Sequence, residues 1–335
     1  MMVVSMTTPT TVERQAVPAG DTAAELTLRV TSADMVADGV RRLVLRKANG
    51  ARLPDWAPGA HIDLFLPGER VRQYSLCGDR WDAHSYQVAV LRVSDGRGGS
   101  AFVHDELRIG DSIGVGGPRN NFAMAPAEHY LFVAGGIGIT PLLPMIRQAQ
   151  MLKVGWTLLY GGRTSTSMAF MDDLSRHTDH VRLWPQDRHG PLPLSAAFDA
   201  MPTNSKVYCC GPDPLLAAVQ NLGVALPPGT VRIERFVAGA LAAPARSSAF
   251  DVHLQRTGKT VTVQPHETIL DAAFAAGVPV LSSCGRGLCG TCEASVIDGI
   301  PDHRDSLLND DERASNATMM PCVSRSCSDR LVLDL

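Results

Sequence analysis

Four of the eight cysteines in this 335-residue chain have a spacing that can do chemistry. Cys284, Cys289 and Cys292 stand in the run Cys-Gly-Arg-Gly-Leu-Cys-Gly-Thr-Cys, and Cys322 follows 30 residues later. Three thiolates spaced x4 and x2, with a distant fourth, fit the plant-type pattern that holds a 2Fe-2S cluster. A short loop must fold over such a cluster with its backbone N–H groups aimed at sulfur, and Gly285, Gly287 and Gly290 permit the turns and the close approach. A structural zinc takes paired C-x2-C knuckles, and only one such pair is present. A disulfide framework belongs to small secreted chains rather than to one of this length. Cys327, five residues past Cys322, falls outside the spacing and reads as an ordinary thiol.

The sequence around the cysteines predicts a small ferredoxin-like β-grasp module over residues 249–335. Phe250 to Gln255 and Thr260 to Val263 read as strands joined by a turn at Thr257 and Gly258, and Thr268 to Ala276 reads as a helix closed by Gly277. Cys292 to Val296 and Arg330 to Leu335 supply two further alternating segments.

A second constellation lies upstream. Residues 23–125 carry short β-rich segments without intervening helices: Leu26 to Val30, Val40 to Leu45, His61 to Leu66, Arg72 to Leu76, Tyr86 to Val93 and Asp111 to Val115. That pattern predicts an antiparallel β-barrel. In Arg72-Gln73-Tyr74-Ser75, strand alternation sends Arg72 and Tyr74 to one face. Such a face could hold a flavin ring on Tyr74, its phosphate on Arg72 and a ring nitrogen on Ser75. Taken alone, one Arg beside one Tyr is more often plain surface. Gly96-Arg97-Gly98-Gly99-Ser100 sharpens the reading, because glycines leading into a helix at Ala101 to Leu107, capped by Ser100, would make an anion site. Ala89, Val90 and Leu91 on the neighbouring strand are placed at the same flavin.

From Tyr130 the pattern becomes alternating strand and helix, predicting a parallel α/β nucleotide-binding domain over residues 126–236. Tyr130 to Ala134 is an apolar strand, Gly135-Gly136-Ile137-Gly138-Ile139-Thr140-Pro141 the turn, and Leu142 to Leu152 the helix. Thr140 as N-cap and Pro141 at the first helical position would aim the amides of the turn at a pyrophosphate. Strands follow at Trp156 to Tyr160, Val181 to Trp184, Val207 to Cys210 and Val231 to Phe236, with helices at Met168 to Arg176 and Pro214 to Leu222. Ligands of such a sheet bind beyond its carboxyl ends, where Cys210-Gly211-Pro212 would approach a nicotinamide; the plainer reading of Cys210 is a small buried residue ending a strand. The second strand lacks an acid for an NAD ribose and offers Arg163, which by itself tilts toward NADPH. Residues 237–248 read as a linker.

Composition sets the outer bounds. At 45% hydrophobic residues each of three domains can have its own core, and a net charge of -3 without basic runs argues against nucleic acid or an acidic membrane as partner. Residues 250–335 carry seven Lys and Arg against twelve Asp and Glu, or -5, leaving +2 for the rest. The acidic excess is either a face for a basic electron acceptor or a solvated surface. No run approaches the roughly 18 apolar residues of a membrane span, and residues 1–22 lack the apolar core of a signal peptide, so a flexible tail and a cytoplasmic location are expected.

The order of Arg72-Gln-Tyr74-Ser75, Gly98-Gly-Ser100, Gly117-Pro-Arg119-Asn-Asn-Phe122, Gly135-Gly-Ile-Gly-Ile-Thr140-Pro141, Tyr208-Cys-Cys210-Gly211-Pro212 and the four cysteines resembles the phthalate dioxygenase reductase family, which includes vanillate demethylase reductases. The resemblance covers nearly the whole chain. It implies FMN rather than FAD, and NADH against the hint from Arg163. It implies FMN contacts from Arg72, Tyr74, Ser75, Gly98, Gly99, Ser100, Thr140 and Phe236. It further implies electron flow from NADH through FMN to the cluster, with Ser75 and Cys210 at the reacting end. From there electrons would pass by transient docking at the ferredoxin domain to a Rieske-type terminal oxygenase, the reductase being a monomer. The same electron chain could serve a cytochrome P450 or another monooxygenase, and a redox sensor or pure carrier is the non-catalytic alternative.

Overall fold

The structure is a computed structural model, and it describes residues 25–335 except 69, 240 and 242. The expected tail at residues 1–22 lies outside the described residues.

Strands β1 (Leu26–Ala37), β2 (Val40–Arg46), β3 (His61–Leu66), β4 (Arg70–Ser75), β5 (Tyr86–Leu91) and β6 (Ser112–Arg119) form one sheet in the order β4-β3-β6-β1-β2-β5, with helix α1 (Gly99–Asp105) between β5 and β6. Every pairing is antiparallel, and a lone bridge from Leu76 to Val88 joins the two ends into a barrel. The alternation seen in the sequence has its cause here: Leu28 and Val30 of β1, Leu43 and Leu45 of β2 and Ile62 and Leu64 of β3 are fully buried in one interior cluster.

Strands β7 (His129–Gly135), β8 (Gly155–Gly162), β9 (Val181–Pro185), β10 (Ser205–Cys210) and β11 (Val231–Glu234) form a parallel sheet in the order β11-β10-β7-β8-β9. Helices α2 (Leu142–Leu152), α3 (Met171–Leu174), α4 (Gln186–His189), α5 (Leu194–Asp199) and α6 (Asp213–Gly223) connect them. Strand β7 is apolar throughout because both its faces are covered. Phe132 and Ala134 pack into a core shared with Val40, Cys77 and Phe122 of the barrel, while Leu131 and Val133 pack toward Leu216 and Val219 of α6. The helix expected from Met168 to Arg176 starts later, as α3 followed by a 3-10 turn at Ser175–His177, since Phe170 adopts a left-handed conformation at φ 63 and the chain becomes helical only after it.

The last module has β12 (Phe250–Leu254), β13 (Lys259–Val263), α7 (Ile269–Ala275), β14 (Ala294–Asp298), β15 (Pro301–Asp302), α8 (Asp310–Ser315), β16 (Thr318–Met319), β17 (Arg325–Ser326) and β18 (Arg330–Leu333). Its mixed sheet runs β13-β12-β18-β14-β16, with β12 and β18 parallel, and β15 with β17 makes a separate ribbon. Thr268 caps α7 by accepting from the Asp271 amide while Asp271 accepts from the Thr268 amide, which fixes where the helix starts. The protein is thus a multidomain chain with an antiparallel barrel, a parallel α/β domain and a β-grasp ferredoxin domain. Among the described residues no helix is long and apolar enough to cross a membrane.

Candidate functional site

A cavity of about 500 Å3 opens where the three modules meet. The barrel contributes Arg72, Gln73, Tyr74 and Ser75 of β4, Ala89 and Leu91 of β5, and Gly99 and Ser100 of α1. The nucleotide domain contributes Ile137, Thr140 and the run from Ile233 to Val237, which includes Phe236; the cysteine loop contributes Arg286, Leu288 and Cys289. A space of this size with an apolar floor and a few aimed polar groups is what a flavin requires.

At one end the cavity is basic. Arg72 donates through Nη1 to the Val71 carbonyl at 2.8 Å and through Nη2 to the Arg97 carbonyl at 3.0 Å, so its charge meets only neutral acceptors. Burial, and then the neighbouring charge of Arg97, holds the Arg72 guanidinium below its ordinary value, with Arg286 and Arg70 adding to the effect. A Cβ on Gly99 would lie 2.7 Å from Arg72 Nε, so glycine there is what lets the arginine cross. One expectation needs correction at this end, and two residues take positions of their own. Ser100 does not cap α1; the cap position is Gly98, and Ser100 Oγ accepts from the Val93 amide at 3.1 Å. Gly98 is set toward Arg70 rather than on the cavity wall. Val90 is fully buried in the barrel interior, because alternation turns it away from the face that Ala89 and Leu91 present.

At the other end Ser75 donates to Glu234 Oε2 at 3.4 Å, and Glu234 also touches Cys210, so the carboxyl ends of β4, β10 and β11 converge. Glu234 faces the cavity but is otherwise enclosed. Burial pushes its carboxyl up to about 8, against hydrogen bonds from Ser75 and Cys210. Burial, and then the Glu234 charge, pushes the Cys210 thiol far up, so it stays protonated. Glu234 was not foreseen: it ends a four-residue strand and lies 159 positions from Ser75. A carboxyl raised in the folded state takes up a proton below about pH 8, so its contribution to stability is fullest below about pH 4.5 and is lost as pH rises through 8. The flavin-free protein should therefore lose Tm between about pH 5 and 8, and Glu234→Gln should flatten that decline; an unchanged slope in calorimetry would show that another group titrates.

The nucleotide turn is built differently from the expectation. Gly136–Ile139 is a 3-10 turn, Thr140 is itself helical, and Thr140 Oγ1 donates to the Ile137 carbonyl at 3.0 Å instead of capping α2. Pro141 stands at the cap position of α2 without a side-chain bond. Gly135, Gly138 and Gly211 face the neighbouring loop: a Cβ on Gly138 would lie 2.1 Å from the Cys210 carbonyl oxygen, and one on Gly211 would lie 3.0 Å from Gly135 Cα. These glycines bring the ends of β7 and β10 together at the point where strand order reverses, the crevice in which such sheets bind nucleotides. Gly136, at φ 53, has open space where its Cβ would be. Arg163 is exposed just past β8 and, among the described residues, forms no salt bridge, while its carbonyl accepts from the Asp187 amide at 3.1 Å.

The four cysteines arrive as two pairs. Cys289 shares a sulfur–sulfur hydrogen bond with Cys284, and Cys292 shares one with Cys322; in each pair the first thiol is held low by its partner and the partner is pushed up. Among the described residues no three ligating side chains converge on one point, as a single ion would need. Two pairs side by side, two sulfurs to each iron, suit a binuclear cluster and fit poorly with one tetrahedral zinc. Backbone amides of Arg286 and Gly287 reach Cys284 Sγ and Cys322 Sγ, both at 3.3 Å, and Thr291 reaches Cys289 Sγ at 3.5 Å. Gly287 is obligatory, with φ +66 and a Cβ position only 2.6 Å from Val323 and 2.8 Å from the Asp305 backbone.

A polar network that the sequence did not reveal seats this loop on the barrel. Asp63, 2% exposed, takes Ser283 Oγ at 2.9 Å and the Gln73 amide at 3.0 Å, and pairs with Arg119. Gln73 also donates to Ser283 at 3.2 Å, so a side chain on the cavity wall also ties the barrel to the cysteine loop. Asn121 donates to the Cys289 carbonyl at 2.8 Å. Beside them His61 is buried, and burial, reinforced by Arg119, lowers it to about 4, leaving it neutral.

The family model for the 2Fe-2S iron-sulfur cluster binding domain matches residues 252–327. Phenoxybenzoate dioxygenase subunit beta of Ectopseudomonas oleovorans is 44% identical over 95% of this chain and 99% of its own length. Among solved structures, phthalate dioxygenase reductase is 36% identical, with TM-score 0.67 over 92% of this chain and 98% of its own. An intact type IV self-sufficient cytochrome P450 monooxygenase is 42% identical with TM-score 0.87, this chain matching over 92% of itself and spanning 41% of that longer one. With identity of this order running through all three modules, the chain belongs to the phthalate dioxygenase reductase family, and it is an oxidoreductase with a 2Fe-2S cluster domain.

Proposed function

We propose that this chain is the reductase component of a two-component Rieske-type aromatic-ring oxygenase or demethylase, acting as a cytoplasmic monomer built of an FMN module (23–125), an NAD module (126–236) and a ferredoxin module (249–335). One observation carries the reading: Cys289, a cluster ligand by its spacing, lines the same cavity as Tyr74 and Ser75. Electrons can then leave the flavin site without crossing bulk water or waiting for a second protein.

FMN supplies the change from two-electron chemistry with NADH to one-electron chemistry with the cluster. The residues of the chain position and insulate. Tyr74, whose phenol burial pushes up to about 12, stays neutral and offers a flat apolar surface. The buried Ser75 hydroxyl is held in place by Glu234 and could hydrogen-bond the ring. Phe236, just past β11, lies on the opposite module and could cover the flavin until nicotinamide displaces it. No general base is demanded, since hydride transfer needs reacting atoms within roughly 3 to 3.5 Å and aligned. The Gly135–Gly138 turn and Cys210-Gly211 set that approach.

Arg72→Ala should weaken FMN retention about tenfold, the worth of a charge-assisted hydrogen bond. A variant that purifies with a full complement of flavin would remove Arg72 from the phosphate site. The acceptor is tested by supplying a purified Rieske oxygenase or a P450 and following NADH-dependent turnover; coupling to the P450 alone would overturn the Rieske assignment. The P450 reading has its own support in the TM-score of 0.87 with the fused enzyme. Against it stands the 44% identity to the phenoxybenzoate dioxygenase subunit.

A further inference from the structure

We propose that Arg286, carried by the cysteine loop, is a ligand of the FMN phosphate, so that the cofactor clasps the ferredoxin domain to the barrel. The inference rests on the flavin site described above. Arg286 lines the cavity together with Arg72 and Arg97 of the barrel. Among the described residues none of the three enters a salt bridge. The carboxylates on the cavity wall are Asp95 and Glu234, and Glu234 sits with Ser75 and Cys210 at the far end. Arg72 spends its donors on two carbonyls, which leaves its charge unmatched. Arg286 Nε is buried without a hydrogen-bond partner.

Three guanidiniums around one void, none of them ion-paired to a carboxylate, are costly unless an anion joins them. A phosphomonoester dianion has the charge and the acceptor oxygens to satisfy several forks at once. The competing anion is the cluster, two residues from Arg286 in sequence. The loop divides the work: the backbone amide of Arg286 donates to Cys284 Sγ at 3.3 Å, while the side chain extends into the flavin cavity. A phosphate held from both sides couples cofactor binding to domain docking, and by reciprocity each strengthens the other by the same factor.

The test uses the full chain with its cluster intact and the flavin removed, titrated with FMN and with riboflavin by flavin fluorescence. Arg286→Ala should raise the Kd for FMN about tenfold and leave that for riboflavin within about twofold, whereas Arg286→Lys should recover part of the loss. An unchanged cluster spectrum certifies that the loop has folded; if alanine perturbs it, Arg286→Gln serves in its place. Equal weakening of both flavins, or no weakening of either, overturns the proposal. So does a change confined to the cluster midpoint potential, which would assign Arg286 to the iron. Wild-type protein that binds neither flavin would instead sink the flavin site itself.

Discussion

Cys289→Ser is expected to abolish NADH-dependent reduction of cytochrome c while leaving reduction of ferricyanide largely intact. Ferricyanide is small enough to take electrons at the flavin cavity, whereas a protein acceptor must take them from the cluster. Cys289 is 3% exposed and shares its proton with Cys284, so serine would keep the shape but lose the thiolate that iron needs. Changes outside the ligand shell of a metal site already cost 10 to 100-fold, so loss of a ligand should exceed about 100-fold. Purified variant protein should lack acid-labile sulfide and the brown colour while remaining yellow. Cys327→Ser is the companion control, since Cys327 stands in neither thiol pair and should leave both activities unchanged. Cytochrome c reduction within tenfold of wild type in the Cys289 variant would mean that electrons leave by another route.

Features governed by neighbouring residues were legible in the sequence. The cysteine spacing is one, since a loop that wraps a cluster must draw three ligands from nine consecutive residues. Phe250–Leu254 is another, because apolar and polar residues alternate along it and that fixes the strand whatever it pairs with. Capping rules failed where another backbone group nearby took the hydroxyl. Ser100 and Thr140 have the chemistry of helix caps, but one serves the Val93 amide and the other closes a 3-10 turn. Residues whose role is defined only by distant partners were invisible. Asp63 meets Ser283 across 220 positions, and Glu234 meets Ser75 across 159. A signal for Asp63 existed: a carboxylate amid the apolar run His-Ile-Asp-Leu-Phe-Leu had to be buried and therefore paired, and Arg119 was already singled out in a motif. For Glu234 the hint was weaker, a lone acid closing a strand that should point at the ligand crevice. Arg286 lay between glycines in the cluster loop, where an arginine reads as solvated until the cavity behind it is seen.

The second large effect is expected at Gly138. An alanine Cβ there would lie 2.1 Å from the Cys210 carbonyl oxygen and 2.7 Å from the Gly211 amide nitrogen. Both neighbours are backbone, so no side chain can swing aside, and the loops at the ends of β7 and β10 must part. Overpacking of this kind costs about 3 kcal/mol. At roughly 4 °C per kcal/mol for a domain of about 110 residues, Tm of the nucleotide domain should fall by about 12 °C. Gly136→Ala isolates the other way a glycine matters, since its φ is +53 and nothing lies within 4 Å of the added carbon. Only backbone strain remains there, about 1–2 kcal/mol, so the Gly136 variant should lose roughly a third to two thirds as much. The functional consequence should follow geometry too. Parting the loops moves Cys210-Gly211 away from the crevice, so Gly138→Ala should raise KM for NADH while the protein stays yellow, because the barrel residues that face the cavity are untouched. A Gly138 variant with Tm within about 2 °C of wild type would show that the two loops can separate freely. The contact between them would then not be what positions the nicotinamide.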